Sequence, residues 1–229
     1  MQRLNTLLAT VRGTDKVFML VQYAAKIVLH GIANKKSSLA VSIANLAAPV
    51  ADTRVLLRYY GLLSMGCWIS ASEQKPNPNA TLRLLTRLQN LANLAYYPLE
   101  HIYWLASHKI INLSNETINK VGMYSCRFWA AYVLLYFFQL NEEARVISVK
   151  RRALKNGENA QDERIVKVKS KELNSEMNIL TMNAIVNAAY FPLTIHWSLE
   201  KSSFPDLGVG ICGTIAALTQ FYMAWKDTK

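Results

Sequence analysis

The run Leu207–Trp225, LGVGICGTIAALTQFYMAW, contains no Asp, Glu, Lys, Arg or His, and Asp206 and Lys226 bracket it. As an α-helix it rises about 28 Å, close to the ~30 Å thickness of bilayer hydrocarbon. It therefore either crosses a membrane or is the buried helix of a soluble bundle. Two features favour the membrane. Gly208, Gly210 and Gly213 open the run, and small residues at such spacing let a second helix approach closely. Phe221, Tyr222 and Trp225 stand at its far end with Lys226 and Lys229 beyond, the order found at a membrane–water interface. Gly-x-Gly-x-x-Gly is also the dinucleotide fingerprint, but no strand precedes it and no acidic residue follows about twenty positions later, so that reading is rejected.

The rest of the chain alternates apolar and amphipathic helical stretches with polar breaks. Residues 3–33 form a helix in two parts, with Gly13-Thr14-Asp15 as break and cap. Residues 39–70 form a second helix, bent or interrupted before Pro49. Arg54 and Arg58 are four apart on one face of it. A leucine-rich helix with such a basic edge suits a membrane interface, arginine on phosphate and leucine in the acyl region; it suits an ordinary bundle equally. Residues 80–112 begin at Thr81 and carry the cleanest amphipathic pattern. Arg83, Arg87 and Asn90 lie on one face, Leu84, Leu85, Leu88, Leu91 and Ala92 on another, before Pro98 interrupts. Residues 117–140 hold the second most apolar run, from Val121 to Leu140, with Arg127 inside it; it can span, lie shallowly or pack against other helices, and an arginine near one end can snorkel to headgroups. Residues 141–176 are dense in both charges and read as a flexible loop broken at 156–159. A basic docking segment for a partner or for lipid headgroups is the other reading. From 177 onward the pattern is a helical hairpin kinked at Pro192, whose second arm is the opening run. Turns are expected near 34–38 and 73–79.

Of the eleven excess positive charges, nine lie in residues 1–140, two in 141–176 and none in 177–229. Positive charge on the apolar-rich part favours an anionic lipid surface over nucleic acid. Cys67, Cys126 and Cys212 are far apart in apolar surroundings and read as buried free thiols. The N-terminal residues lack the pattern of a secretory signal. No Cys/His cluster for zinc, no phosphate loop and no nucleophilic triad can be argued, and neighbouring Glu100 and His101 diverge on a helix, so neither an enzyme nor a cofactor is expected. The fold expected is all-α: a membrane-associated bundle with amphipathic helices over 1–140, a charged loop over 141–176, and a C-terminal hairpin over 177–229 with a transmembrane segment near 207–225.

Four segments in order carry a resemblance. Gly13-Thr14-Asp15-Lys16 with Gln22-Tyr23 and Lys26 resembles the Gly-Arg-Asp-Lys…Gln-Tyr…Arg signature of the peroxisomal biogenesis factor 11 family. Arg54 to Arg58 is similar to its Arg-Lys-x-x-Arg helix. Tyr96-Tyr97-Pro98-Leu99-Glu100-His101, followed by Tyr103-Trp104, resembles its Tyr-Tyr-x-x-Asp-His-x-x-Trp-Leu segment. Pro205 to Gly213, ending in Trp225-Lys226, resembles its glycine-rich C-terminal segment. Thr14, Pro98 and Glu100 depart from the pattern. The resemblance implies a peroxisomal membrane protein that elongates the membrane by amphipathic-helix insertion and self-association, as a homo-oligomer, and promotes proliferation and fission with dynamin-related machinery. It implies that the Arg54/Arg58 helix binds lipid; the Arg83/Arg87 helix is a second lipid-binding candidate from its pattern alone. The alternative is a pore for small solutes in the same membrane, lined by Arg127 and the asparagines of 174–187.

Overall fold

The computed structural model describes residues 1–32, 36–74, 79–156 and 162–228. Among these the chain forms seven α-helices and no strand: α1 (Gln2–Leu8), α2 (Val11–Gly31), α3 (Ser38–Gln74), α4 (Ala80–Ser107), α5 (Asn115–Asn156), α6 (Glu163–Ser198) and α7 (Asp206–Asp227). The turns expected near 34–38, 73–79 and 156–159 fall partly outside the described residues. The neighbours close on themselves: α2 packs on α3, α3 on α4, α4 on α5, α5 on α6, α6 on α7, and α7 again on α2.

The two-part first helix is present, but its break falls earlier than expected, at Ala9-Thr10. The Thr10 hydroxyl accepts from the Gly13 amide at 3.0 Å, so Thr10, not Thr14 or Asp15, caps α2. Gly13 sits inside the first turn, where a Cβ would collide with the Leu7 carbonyl oxygen as α1 folds back. In α4 the cap is Asn79, which accepts from the Leu82 amide at 2.8 Å, rather than Thr81. The helices expected to break at Pro49, Pro98 and Pro192 run through all three prolines. A proline removes one hydrogen bond and crowds the preceding turn, yet membrane helices tolerate this where neighbours and hydroxyls compensate.

The charged stretch 141–176 is not a loop. Its described residues continue α5 to Asn156 and begin α6 at Glu163, after Asp162 as N-cap. Leu140, Ile147, Leu173 and Leu180 seal the two helices together, with Leu154 and Met177 beside them. Apolar residues one or two turns apart face the partner helix, so the charges between them are pushed outward rather than dispersed in a coil.

The second core joins α2, α6 and α7 through Met19, Tyr23, Leu193, Val209, Ala216 and Ala217, with Trp129 of α5 against it. Much of the apolar side-chain surface nevertheless points out: Leu46 and Leu56 on α3, Leu84 and Leu91 on α4, Phe138 on α5, and Ile211, Ile215, Leu218 and Tyr222 on α7 are all exposed. Arg54, Gln89, Asn90, His101, Ser125, Asn187, Thr194 and Ser198 are buried instead. Polar side chains inside and apolar ones outside is the arrangement of a bundle whose solvent is lipid. Among the described residues three helical stretches are long and apolar enough to cross a bilayer: Ser38–Tyr59, Asn115–Asn156 and Asp206–Asp227. Cys67 is exposed on the outward side of α3 rather than buried; Cys126 and Cys212 are partly buried.

Candidate functional site

The polar interior is built where α2, α3 and α4 meet. α2 and α3 run antiparallel, which brings Arg54 opposite Asp15. Its Nε donates to Asp15 Oδ1 at 2.9 Å and its Nη1 to Gln22 Oε1 at 2.6 Å. Asp15 and Gln22 are seven apart, two helical turns, and therefore present one face to the same guanidinium. Lys16 Nζ reaches the other Asp15 oxygen at 2.8 Å. Burial alone would raise the Asp15 carboxyl; Arg54 and Lys16 outweigh it and hold the group below its ordinary value. Burial also lowers the Lys16 ammonium, offset in part by Asp15. One turn along α3, Arg58 makes a two-pronged pair with Glu100 of α4, Nε to Oε2 at 2.8 Å and Nη2 to Oε1 at 2.7 Å. The Tyr96 hydroxyl donates to the same Glu100 Oε1 at 2.6 Å.

The rest of the α4 motif continues this network. Tyr59 of α3 donates to the His101 carbonyl at 3.2 Å, and its ring lies 3.8 Å from the His101 ring. His101 Nδ1 donates to the Tyr97 carbonyl, leaving Nε2 buried without a partner among the described residues. Tyr97 packs edge-on against Tyr96. Trp104 Nε1 donates to Asp52 Oδ1 at 2.8 Å, and His108 Nε2 lies 3.2 Å from the same oxygen. Asp52 had no role in the sequence reading. Its signal was its isolation: an acid in an apolar helix needs a partner, and a tryptophan N–H supplies one.

Tyr23 links this network to α7. The Arg54 guanidinium lies 5.9 Å from its ring centre, within cation–π range. The other side of the ring fills the space over Gly213, where any Cβ would overlap it. A Cβ on Gly210 would come within 2.9 Å of Ile27, so both glycines serve the close α2–α7 approach expected of them. Gly208 differs: it faces the Phe204 ring of the preceding turn. Trp225 holds the chain's two ends together, its carbonyl accepting from Arg3 Nη2 at 2.6 Å and its ring lying 4.7 Å beneath that guanidinium.

Arg54 and Arg58 are therefore not the outward basic edge of a surface helix. Their guanidinium groups are committed to Asp15 and Glu100 inside the bundle, and α3 presents its apolar side outward. The expectation failed because helical spacing shows that two arginines share a face, but not what that face meets. α4 is amphipathic as expected, again turned around: Gln89 and Asn90 face inward and Leu84, Leu88 and Leu91 face out. Arg83 and Arg87 do lie exposed at its start, Arg87 paired to Glu73 at 2.8 Å. The hydrogen bonds from Arg87 lower the Glu73 carboxyl. Arg127 and the asparagines do not share a lumen. Arg127 is exposed and donates to the Ser198 carbonyl at 3.2 Å, Asn174 accepts from Arg151, and the Asn187 amide donates to the Asn183 carbonyl. Among the described residues no group of three or more His, Cys, Asp or Glu is placed to hold a metal.

Comparison with known proteins matches the model of the family described as peroxisomal biogenesis factor 11 to residues 1–225. The chain is similar to an uncharacterized protein of Schizosaccharomyces pombe, 25% identical over 221 residues, covering 96% of this chain and 92% of the relative. It is also similar to peroxisomal membrane protein 11C of Homo sapiens, 22% identical over 233 residues, with the same coverage of each chain. No solved structure matches.

Proposed function

The chain belongs to the peroxisomal biogenesis factor 11 family, and from that premise we propose that it elongates the membrane by seating amphipathic helices in one leaflet and by associating with further copies of itself. It is a peroxisomal membrane protein with a role in peroxisome biogenesis and proliferation. The observation that carries the mechanism is the orientation of α4: a row of leucines, Leu84, Leu88 and Leu91, is exposed along it, with Arg83 and Arg87 at one end. A helix seated with its apolar row about 5–10 Å deep and its arginines at headgroup level expands one leaflet and favours positive curvature. Arg83 adds roughly 1 kcal/mol of attraction to an anionic phospholipid surface, and Arg87 adds to it on exchanging Glu73 for a headgroup phosphate. Arg54 and Arg58 reach phosphate only after α3 has separated from α2 and α4. The outward row Ile211, Ile215, Leu218 and Tyr222 of α7 is the surface for self-association, and elongated membrane is what dynamin-related fission machinery acts on.

The test is reconstitution of the purified full chain into anionic liposomes, imaged by electron microscopy beside conductance recordings in planar bilayers. Tubules without current steps support elongation. Spherical liposomes together with unitary current steps would overturn it in favour of a small-solute pore.

A further inference from the structure

The charged hairpin formed by the end of α5 and the start of α6 lies outside the network described above. Its root is marked by the Asn79 amide, which donates to Glu142 Oε1 at 2.7 Å where α4 begins. Near that level the outward apolar residues of the two long helices thin out: past Phe138 on α5 and Ile179 on α6, only Val149, Ile165 and Val168 stand exposed among the charges of the described residues. Glu73 and Arg87 pair at this same end of α3 and α4. From Glu142 to Asn156, α5 rises about 21 Å further at 1.5 Å per residue. Neither Gly nor Pro occurs between Met123 and Asn156, nor between Glu163 and Phe191, so nothing in either helix favours a bend back toward the bundle. Ile147, Leu154 and Leu173 close the hairpin along its own axis.

Its surface is basic and unspent. Arg152, Lys155, Arg164, Lys167, Lys169 and Lys171 are exposed and have no ion-pair or hydrogen-bond partner among the described residues. Of the nearby acids, Asp162 accepts from the amides of Arg164 and Ile165 and Glu176 pairs with Lys150 at 3.2 Å; exposed Glu163 and Glu172 offset only part of the six unpartnered cations among the described residues. Val149 and Val168, each 58% exposed, stand among the cations. The cations occur on both helices instead of forming one fork-shaped pocket. A diffuse basic surface with short apolar side chains between the charges suits a sheet of anionic headgroups better than a single acidic group. The bilayer holding the root is too far to satisfy the tip, since ~21 Å exceeds two Debye lengths of about 8 Å at physiological salt.

We propose that this hairpin docks onto an anionic phospholipid surface separate from the bilayer that holds its own root. The experiment reconstitutes the full chain into neutral phosphatidylcholine vesicles, where both orientations are present, and adds phosphatidylserine vesicles at physiological salt. Vesicle clustering is followed by light scattering. Clustering is expected with phosphatidylserine and not with added neutral vesicles, and it falls as salt rises. Neutralising three tip cations together, Arg152→Gln, Lys155→Gln and Lys167→Gln, lowers the apparent affinity about a hundredfold, roughly fivefold per charge. The charge-preserving set Arg152→Lys, Lys155→Arg and Lys167→Arg retains it. All three residues are exposed, so unchanged circular dichroism confirms that each variant is folded. Absence of clustering, or clustering that the neutral variant keeps, overturns the proposal. Binding of polyglutamate without clustering also overturns it and assigns the surface to an acidic protein.

Discussion

Replacing Asp15 by Asn should destabilise the chain far more than a surface carboxylate would, because Arg54 is then left buried without its charge partner. The Arg54 side chain is 9% exposed and that of Asp15 15%. Breaking a buried pair by removing one partner costs about 3–5 kcal/mol. What remains for Arg54 is the Gln22 amide oxygen and the face of Tyr23, and Lys16 loses its carboxylate contact in the same step. For a chain of this size 1 kcal/mol corresponds to about 2–4 °C in melting temperature, so Asp15→Asn should lower it by roughly 6–20 °C. Arg54→Leu should cost a similar amount. The double variant Asp15→Asn with Arg54→Leu should recover much of the loss, because both desolvated charges are gone. The assay is thermal unfolding of the four proteins in one detergent, read as a double-mutant cycle. A coupling energy above about 2 kcal/mol is expected for residues in direct contact. If the two single effects simply add, to within about 0.5 kcal/mol, Asp15 and Arg54 are not paired and the polar interior described here is wrong.

Other outcomes follow from the same geometry. The Asp15 carboxyl is held below its ordinary value. Its contribution is therefore complete above the unfolded pKa and lost as pH falls through the lowered folded one. Melting temperature should fall more steeply below about pH 4 in the native chain than in Asp15→Asn, and parallel curves would sink the assignment. Arg58→Lys keeps the charge but cannot reproduce the two-pronged contact with Glu100; it should lower stability by about 1–2 kcal/mol, and denaturant titration in micelles checks this. Gly213→Leu forces α7 away from Tyr23 and should cost about 1–3 kcal/mol, seen as a lower melting temperature and faster proteolysis near residues 26–31. Ile147→Asp places a charge in the seam of the α5–α6 hairpin and should expose 145–156 to protease while leaving the α2–α7 contact intact; unchanged cleavage there would mean the hairpin is not packed.

The sequence by itself determined that this chain is helical and lipid-facing. A run of uncharged residues from Leu207 to Trp225 has few alternatives once its backbone must satisfy its own hydrogen bonds, and glycines at 210 and 213 already implied a close helix neighbour. Asp15, Tyr23, Arg54 and Glu100 each fell within a resembling segment, but nothing in those segments said that they meet. Tertiary structure alone decided what those residues do to one another. Helical periodicity reports that Arg54 and Arg58 share a face, but the same stripe can meet phosphate or carboxylate, and the choice rests on residues 39 and 42 positions away. The same limit explains the hairpin. Local charge density in 141–176 looks like a solvated coil, and only the partner helix, supplying Leu173 and Leu180 opposite Leu140 and Ile147, makes those residues a rigid pair. Burial is a property of two surfaces, and a sequence read one segment at a time contains only one of them.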